Sequence, residues 1–209
     1  MRQELPKKNE KFPTVTFATK DDIDDILRIQ ETLLIANRSG DTSLSETGFL
    51  VNRASREDLE KAIENQGQAF LIVVRNELGK TVGYCLAYDM KYFLAQNPDW
   101  LSDTGLDQNL IEQQRIIYGK HVASDRSMPF TGRSLIESLL KFAELQGYTM
   151  FLGEICEAPV SNTRSIEKHA GDEIGLQRIG EYTGRNDFHW GVYAKKLGGV
   201  SASTADPLD

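Results

Sequence analysis

Two periodicities alternate along this chain. Ile23, Ile26, Leu27, Ile29, Leu33 and Leu34 recur at helical spacing, and so do Leu135, Ile136, Leu139, Leu140 and Ala143. Spacing of about 3.6 residues lines one face of a helix with apolar side chains. Ala69–Arg75, Thr81–Asp89, Arg115–Ser124 and Tyr148–Cys156 are instead short apolar runs bounded by turn residues, the pattern of strands. Asn76-Glu-Leu-Gly79 joins the first two as a hairpin. Val15–Phe17 predicts a leading strand, and Leu176–Tyr182 with Phe188–Lys195 a closing antiparallel pair across 183–187.

Polar residues mark the boundaries. Thr19 is placed to cap the first helix, with Asp21 and Asp22 in its first turn where the helix dipole favours acids. Ser55 with Asp58 forms a capping-box pattern ahead of a helix over 56–65. The long helix is expected over Ser134–Gln146 with Gly147 ending it, and a short one over Ser161–Ala170. Residues 36–54 read as loop with some helix, and 90–113, carrying Tyr92, Phe93, Pro98 and Trp100, as short helices over one end of the sheet. The order β-α-α-β-β-β-α-β-α-β-β predicts an α/β fold with one mixed, mostly antiparallel sheet and helices on both faces. A single domain over 13–197 follows, with flexible tails at 1–12 and 198–209.

Composition narrows the class. The 209 residues are 40% hydrophobic and 26% charged, enough for one full core. A net charge of -7 argues against a nucleic-acid binder, which concentrates basic surface. No apolar run is long enough to cross a membrane and the first residues lack a secretory h-region, so a cytoplasmic location is expected. Cys85 and Cys156 fall in predicted strands and read as buried hydrophobes, and no His/Cys spacing suggests a metal site.

Chemistry concentrates in residues 115–171. A strand, a polar turn opening a helix, and a second strand place backbone amides beside an edge that an extended, phosphate-bearing ligand could occupy. The stretch Asn162-Thr-Arg-Ser165-Ile-Glu-Lys-His169 follows. With this element order, Asn162, Ser165 and His169 resemble the Asn-x-x-Ala/Ser-x-x-x-Tyr signature of the GNAT superfamily of acyl-CoA-dependent N-acyltransferases, with His in the Tyr place, as in an uncharacterised subset of that family. Gly175-Leu176 resembles its Gly-Phe element with two residues inserted. The family's pyrophosphate loop, Arg/Gln-x-x-Gly-x-Gly/Ala before a Leu-Leu helix, aligns through Leu139-Leu140 with Thr131-Gly132-Arg133-Ser134-Leu135-Ile136. Only Gly132 is kept, and the preceding 125–130 is several residues too long.

The resemblance implies a GNAT-like fold whose central strands splay apart, acetyl-CoA as co-substrate without a metal, and a small-molecule or peptide amine as acceptor, with neither nucleic acid nor membrane as partner. It leaves room for a homodimer. It implies that amides around Thr131, Gly132, Arg133, Ser134 and Leu135 hold the pyrophosphate, with Arg126 and Arg133 as phosphate clamps. The N–H of Val122 or Ala123 would face the thioester oxygen, Asn162 and Ser165 would hold the pantetheine arm, and His169 would protonate the leaving sulfur. The strand 115–124 carries no acid, which leaves His121, Glu154 or a water chain to deprotonate the amine. Plainer readings stand beside these: His169 as a half-buried histidine, Asn162 as a helix cap, both arginines as solvated charges, Tyr92, Phe93 and Trp100 as packing. The rival to an N-acetyltransferase is a non-catalytic acyl-CoA-binding or regulatory module with a degenerate loop; an α/β interaction domain without cofactor is a third.

Overall fold

A computed structural model describes residues 13–171, 174–184 and 187–198. The expected tails, 1–12 and 199–209, lie outside the described residues. The strands are β1 (Val15–Phe17), β2 (Ala69–Arg75), β3 (Thr81–Asp89), β4 (Ile116–Ser124), β5 (Met150–Ala158), β6 (Gln177–Thr183) and β7 (His189–Lys196). The helices are α1 (Ile23–Leu33), α2 (Leu44–Thr47), α3 (Arg56–Glu64), α4 (Met90–Gln96), α5 (Trp100–Thr104), α6 (Gln108–Gln113), α7 (Thr131–Leu145) and α8 (Thr163–Ala170).

All seven strands form one sheet in the order β1-β2-β3-β4-β5-β7-β6. Every pair is antiparallel except β4 with β5, whose crossover is α7. Side chains alternate between two faces, as strands require. On one face α7 packs Leu135, Ile136 and Leu139 against Phe70, Ile72 and Cys85. On the other, Ile26, Ile29 and Leu59 from α1 and α3 cover Leu71, Val73 and Tyr84. An aromatic group, with Phe93 stacked at 4.0 Å on Tyr118 and Trp100 at 5.9 Å from the same ring, extends this second layer across the lower sheet.

The predicted cap of α3 forms, and Thr19 caps a 3-10 turn, 20–22, that leads into α1. Thr19 and Asp22 make a capping box, with Thr19 N–H donating to Asp22 Oδ2 at 2.7 Å, and Ser55 Oγ accepts from Asp58 N–H at 3.1 Å. The cysteines are free and buried. Among the described residues no helix is long and apolar enough to cross a membrane, and no group of three or more His, Cys, Asp or Glu could hold a metal ion. One boundary differs in a way that matters below: α7 begins at Thr131, three residues before the expected start, because Phe130 adopts a left-handed φ of 62° and turns the chain into the helix earlier.

Candidate active site

The sheet opens at its centre. β4 and β5 pair from Ile116↔Met150 to Gly119↔Gly153, yet β4 runs on to Ser124 and β5 to Ala158. Each strand stays with its other neighbour. β3 follows β4 through Gly83↔Ser124, while β7 follows β5 through Ala158↔His189. A β-bulge marks the parting: Leu86 pairs with His121 and Ala87 with Gly119, leaving Lys120 as the extra residue. An unpaired residue of this kind bends its strand and raises the local twist. At the fork Phe151 lies over Gly119, where a Cβ would stand 2.6 Å from its ring. A side chain at 119 would close the floor of the opening.

Hydrogen-bond alternation decides which amides face the gap. Asp125 N–H donates to Val82 C=O at 2.9 Å, and Gly83↔Ser124 sets the register. Antiparallel neighbours point alternately toward and away from the partner strand. Ala123 therefore spends its N–H on β3, whereas Val122 turns its N–H toward the departed β5. Of the two amides expected to face the thioester, that of Val122 points into the gap and that of Ala123 does not.

On the α7 side lies a cavity of about 570 Å³ lined by Gly132, Arg133, Arg126, Arg164 and Lys168. Ser134 N–H donates to Phe130 C=O at 2.9 Å, the first main-chain bond of the helix. The amides of Thr131, Gly132 and Arg133 precede it, and a helix start carries about half a positive charge. A Cβ at Gly132 would meet nothing within 4 Å, so a ligand can approach the backbone there. The residues expected to hold pyrophosphate thus divide. Ser134 has a committed amide and a buried hydroxyl without a partner, and Leu135 is fully buried core. Both are corrections, and both follow from the earlier helix start. Thr131 turns its side chain inward, with Oγ1 donating to Met128 C=O at 3.0 Å and its methyl against Gly83. Only its backbone can serve.

Arg126 donates to the carbonyls of Thr47 and Gly48, and Arg38 donates to Gly48 C=O at 2.7 Å. Burial, with Arg164 and Arg38 close by, holds the Arg126 guanidinium below its ordinary range. An anion among these cations would offset their mutual repulsion. Arg133 pairs with Glu137 at 2.7 Å along the helix surface. Arg164 and Lys168 were missed by sequence reasoning although they lie inside the Asn162–His169 stretch; the signal was two basic residues on one face of α8.

The opposite side holds a second cavity of about 800 Å³. The two cavities share Phe49, Leu50, Val122, Ile136, Ser165 and His169, so they meet at the fork. His169 stands at this junction. Its Nδ1 is buried without a partner, and burial and Lys168 push its pKa down to about 4. Asn162 is buried and caps α8, accepting from Ser165 N–H at 3.3 Å, while its Nδ2 donates to Phe49 C=O at 3.1 Å. The cap reading therefore holds, and Asn162 also ties the 38–53 segment over this junction. His121 is buried, its Nδ1 3.2 Å from Tyr84 OH, and burial and Lys120 push its pKa down to about 3. It is a very weak base, a correction to its expected role. Glu154, on β5 just past the fork, accepts from Tyr118 OH at 2.8 Å and from Trp100 Nε1. Cys156 lines the same cavity with its thiol pushed up to about 11 by burial, which excludes a thiolate nucleophile at neutral pH.

No family model and no curated protein sequence matches this chain. Solved structures do. An N-acetyltransferase from Staphylococcus aureus Mu50 superposes at a TM-score of 0.59 with 14% identity, over 90% of this chain and 100% of that one. The ribosomal-protein-S18-alanine N-acetyltransferase from Escherichia coli gives 0.58 and 11%, over 92% and 98%. A GNAT superfamily phosphinothricin acetyltransferase from Sinorhizobium meliloti, solved in complex with AcCoA, gives 0.55 and 13%, over 90% of each. At such identities the likeness is one of fold.

Proposed function

We propose that this chain, which has the fold of the GNAT N-acetyltransferases, moves an acetyl group from acetyl-CoA to a primary amine of a small molecule or peptide by direct attack within a ternary complex. The observation that carries the reading is a pair of adjoining cavities: a basin lined by basic side chains at the start of α7, a fork with an inward amide, and an open cavity beyond it. An elongated thioester with a diphosphate at one end fits that sequence of environments. Its pyrophosphate would rest on the amides of Thr131, Gly132 and Arg133 beside Arg126 and Arg164.

Attack forms the N–C bond and makes an oxyanion, which the Val122 N–H is placed to receive. One fixed donor of this kind contributes about 3–4 kcal/mol to the barrier. The C–S bond then breaks. The sulfur leaves as a thiolate with little proton assistance, because its thiol has a pKa of about 8.5, and it then takes up the second proton shed by the attacking nitrogen. His169, neutral at physiological pH, serves by donating an N–H to the departing sulfur rather than by acting as an imidazolium. The acceptor must shed a proton, since an alkyl ammonium has a pKa near about 10.4. That proton goes to Glu154 or to water in the wide cavity.

Calorimetry with acetyl-CoA and thiol release with mixed amines test this reading together. Binding with release supports transfer. Binding without release from any amine identifies the non-catalytic module, and absence of both removes coenzyme A from the account.

A further inference from the structure

The acceptor cavity is charged and aromatic in a definite arrangement. Glu154 is fixed by Trp100 and by Tyr118 OH at 2.8 Å, both neutral donors, and burial with the adjacent carboxylate holds the Tyr118 and Tyr182 phenols protonated. Among the described residues no lysine, arginine or histidine forms an ion pair with Glu154, Asp99 or Asp103. A half-buried carboxylate held by neutral donors lacks the counter-charge that sites of this depth ordinarily carry.

Asp99 and Asp103 stand one turn apart on α5 at the exposed rim of the same cavity. Asp99 occupies the N-cap position of α5 without a side-chain capping bond, so its carboxylate is not used by the helix. Between Glu154 and this rim the wall is Trp100 and Tyr182. Aromatic faces attract alkylammonium groups and cover alkyl chains. The opposing charges are few: Arg53 is paired with Glu31 at 2.8 Å, which leaves Lys120 at the bulge.

We propose that the acceptor is a linear alkylamine bearing a second positive charge, its reacting ammonium received by Glu154 beside the fork and its distal cation by Asp99 and Asp103. This assignment rests on the acetyl transfer proposed above. The three acids do different work. Glu154 draws in the ammonium and holds it beside the fork, where its nitrogen faces the thioester once the proton has left. The rim pair selects the tail.

Putrescine, n-butylamine and γ-aminobutyrate share one alkyl chain and differ in the charge of the tail, which makes them the probes. Thiol release with the full-length protein and acetyl-CoA should give kcat/KM falling from putrescine through butylamine to γ-aminobutyrate, with about ten-fold or more between the extremes. In the Asp99→Asn, Asp103→Asn double variant the putrescine-to-butylamine ratio should collapse toward unity, mostly through KM. Equal or reversed preference in the wild type, or a ratio untouched in the double variant, overturns the proposal. A second arm does not need turnover. Putrescine should raise the melting temperature more than butylamine does, and the Asp99→Asn, Asp103→Asn double variant should abolish that difference. Should no amine release thiol while this binding difference persists, the cation site stands and the transfer reading falls; should binding show no difference, the cation site falls.

Discussion

The two halves of the site are built from different materials. The α7 side relies on main-chain donors at a helix start, supplemented by arginines from three segments. The far side relies on side chains alone: Trp100 from α5, Tyr118 from β4 and Glu154 from β5, joined by hydrogen bonds that span 36 and 54 residues. Backbone donors tolerate replacement of the side chains that flank them. On the proposed reading, this is why a phosphate could still rest on the first amides of α7 without a basic residue at 131 or a glycine or alanine at 134 and 136. A carboxylate held by an indole and a phenol tolerates no such exchange. The half proposed for the co-substrate depends least on side-chain identity, and the half proposed for the acceptor depends on it most.

The sharpest way to break this comparison is to remove one backbone donor. Val122→Pro deletes an N–H that the β3 ladder does not use, so the fold and acetyl-CoA binding should persist while turnover falls about 10²- to 10³-fold. Steady-state rates beside a thermal melt check this. His169→Ala removes a side chain at the junction, and turnover should fall about ten- to a hundred-fold with the Kd for acetyl-CoA nearly unchanged. Unchanged turnover would make His169 structural. Within the basin, Arg164→Ala should raise the Kd for acetyl-CoA about three- to ten-fold by calorimetry, as a partly exposed phosphate contact does. Ser134→Ala should leave that Kd alone and raise stability by about 1 kcal/mol, because it removes a buried hydroxyl without a partner.

Lowering the pH tests the two imidazoles. The His121 and His169 pKa values lie at about 3 and about 4, below their ordinary 6.5, so the unfolded chain binds more protons in between. Stability is full above pH 6.5 and is lost as pH falls through 6.5 toward those values. Each imidazole kept neutral costs up to about 1.4 kcal/mol per pH unit in that window. His121→Asn should roughly halve the slope in urea titrations across it.

Much of the fold was legible. The helical spacing of Ile23 to Leu33 and of Leu135 to Ala143, the apolar runs of β2 to β5, and the Thr19 and Ser55 caps each carry their meaning locally. The start of α7 was not, because a left-handed Phe130 has no sequence mark, and that shift withdrew Ser134 and Leu135 from the site. Val122 and Ala123 stood as alternatives because the bulge at Lys120, which sets which amides face inward, has no sequence mark. His121 gave no hint of its contact with Tyr84, 37 residues away on β3. The link from Trp100 to Glu154 had no local pattern either.

Amide hydrogen exchange with and without acetyl-CoA addresses the fork most directly. The account predicts slowed exchange at Val122 and at Thr131–Arg133 on adding the thioester, with β1 and β2 unchanged. Exchange at Val122 and the first turn of α7 that is indifferent to acetyl-CoA would contradict it.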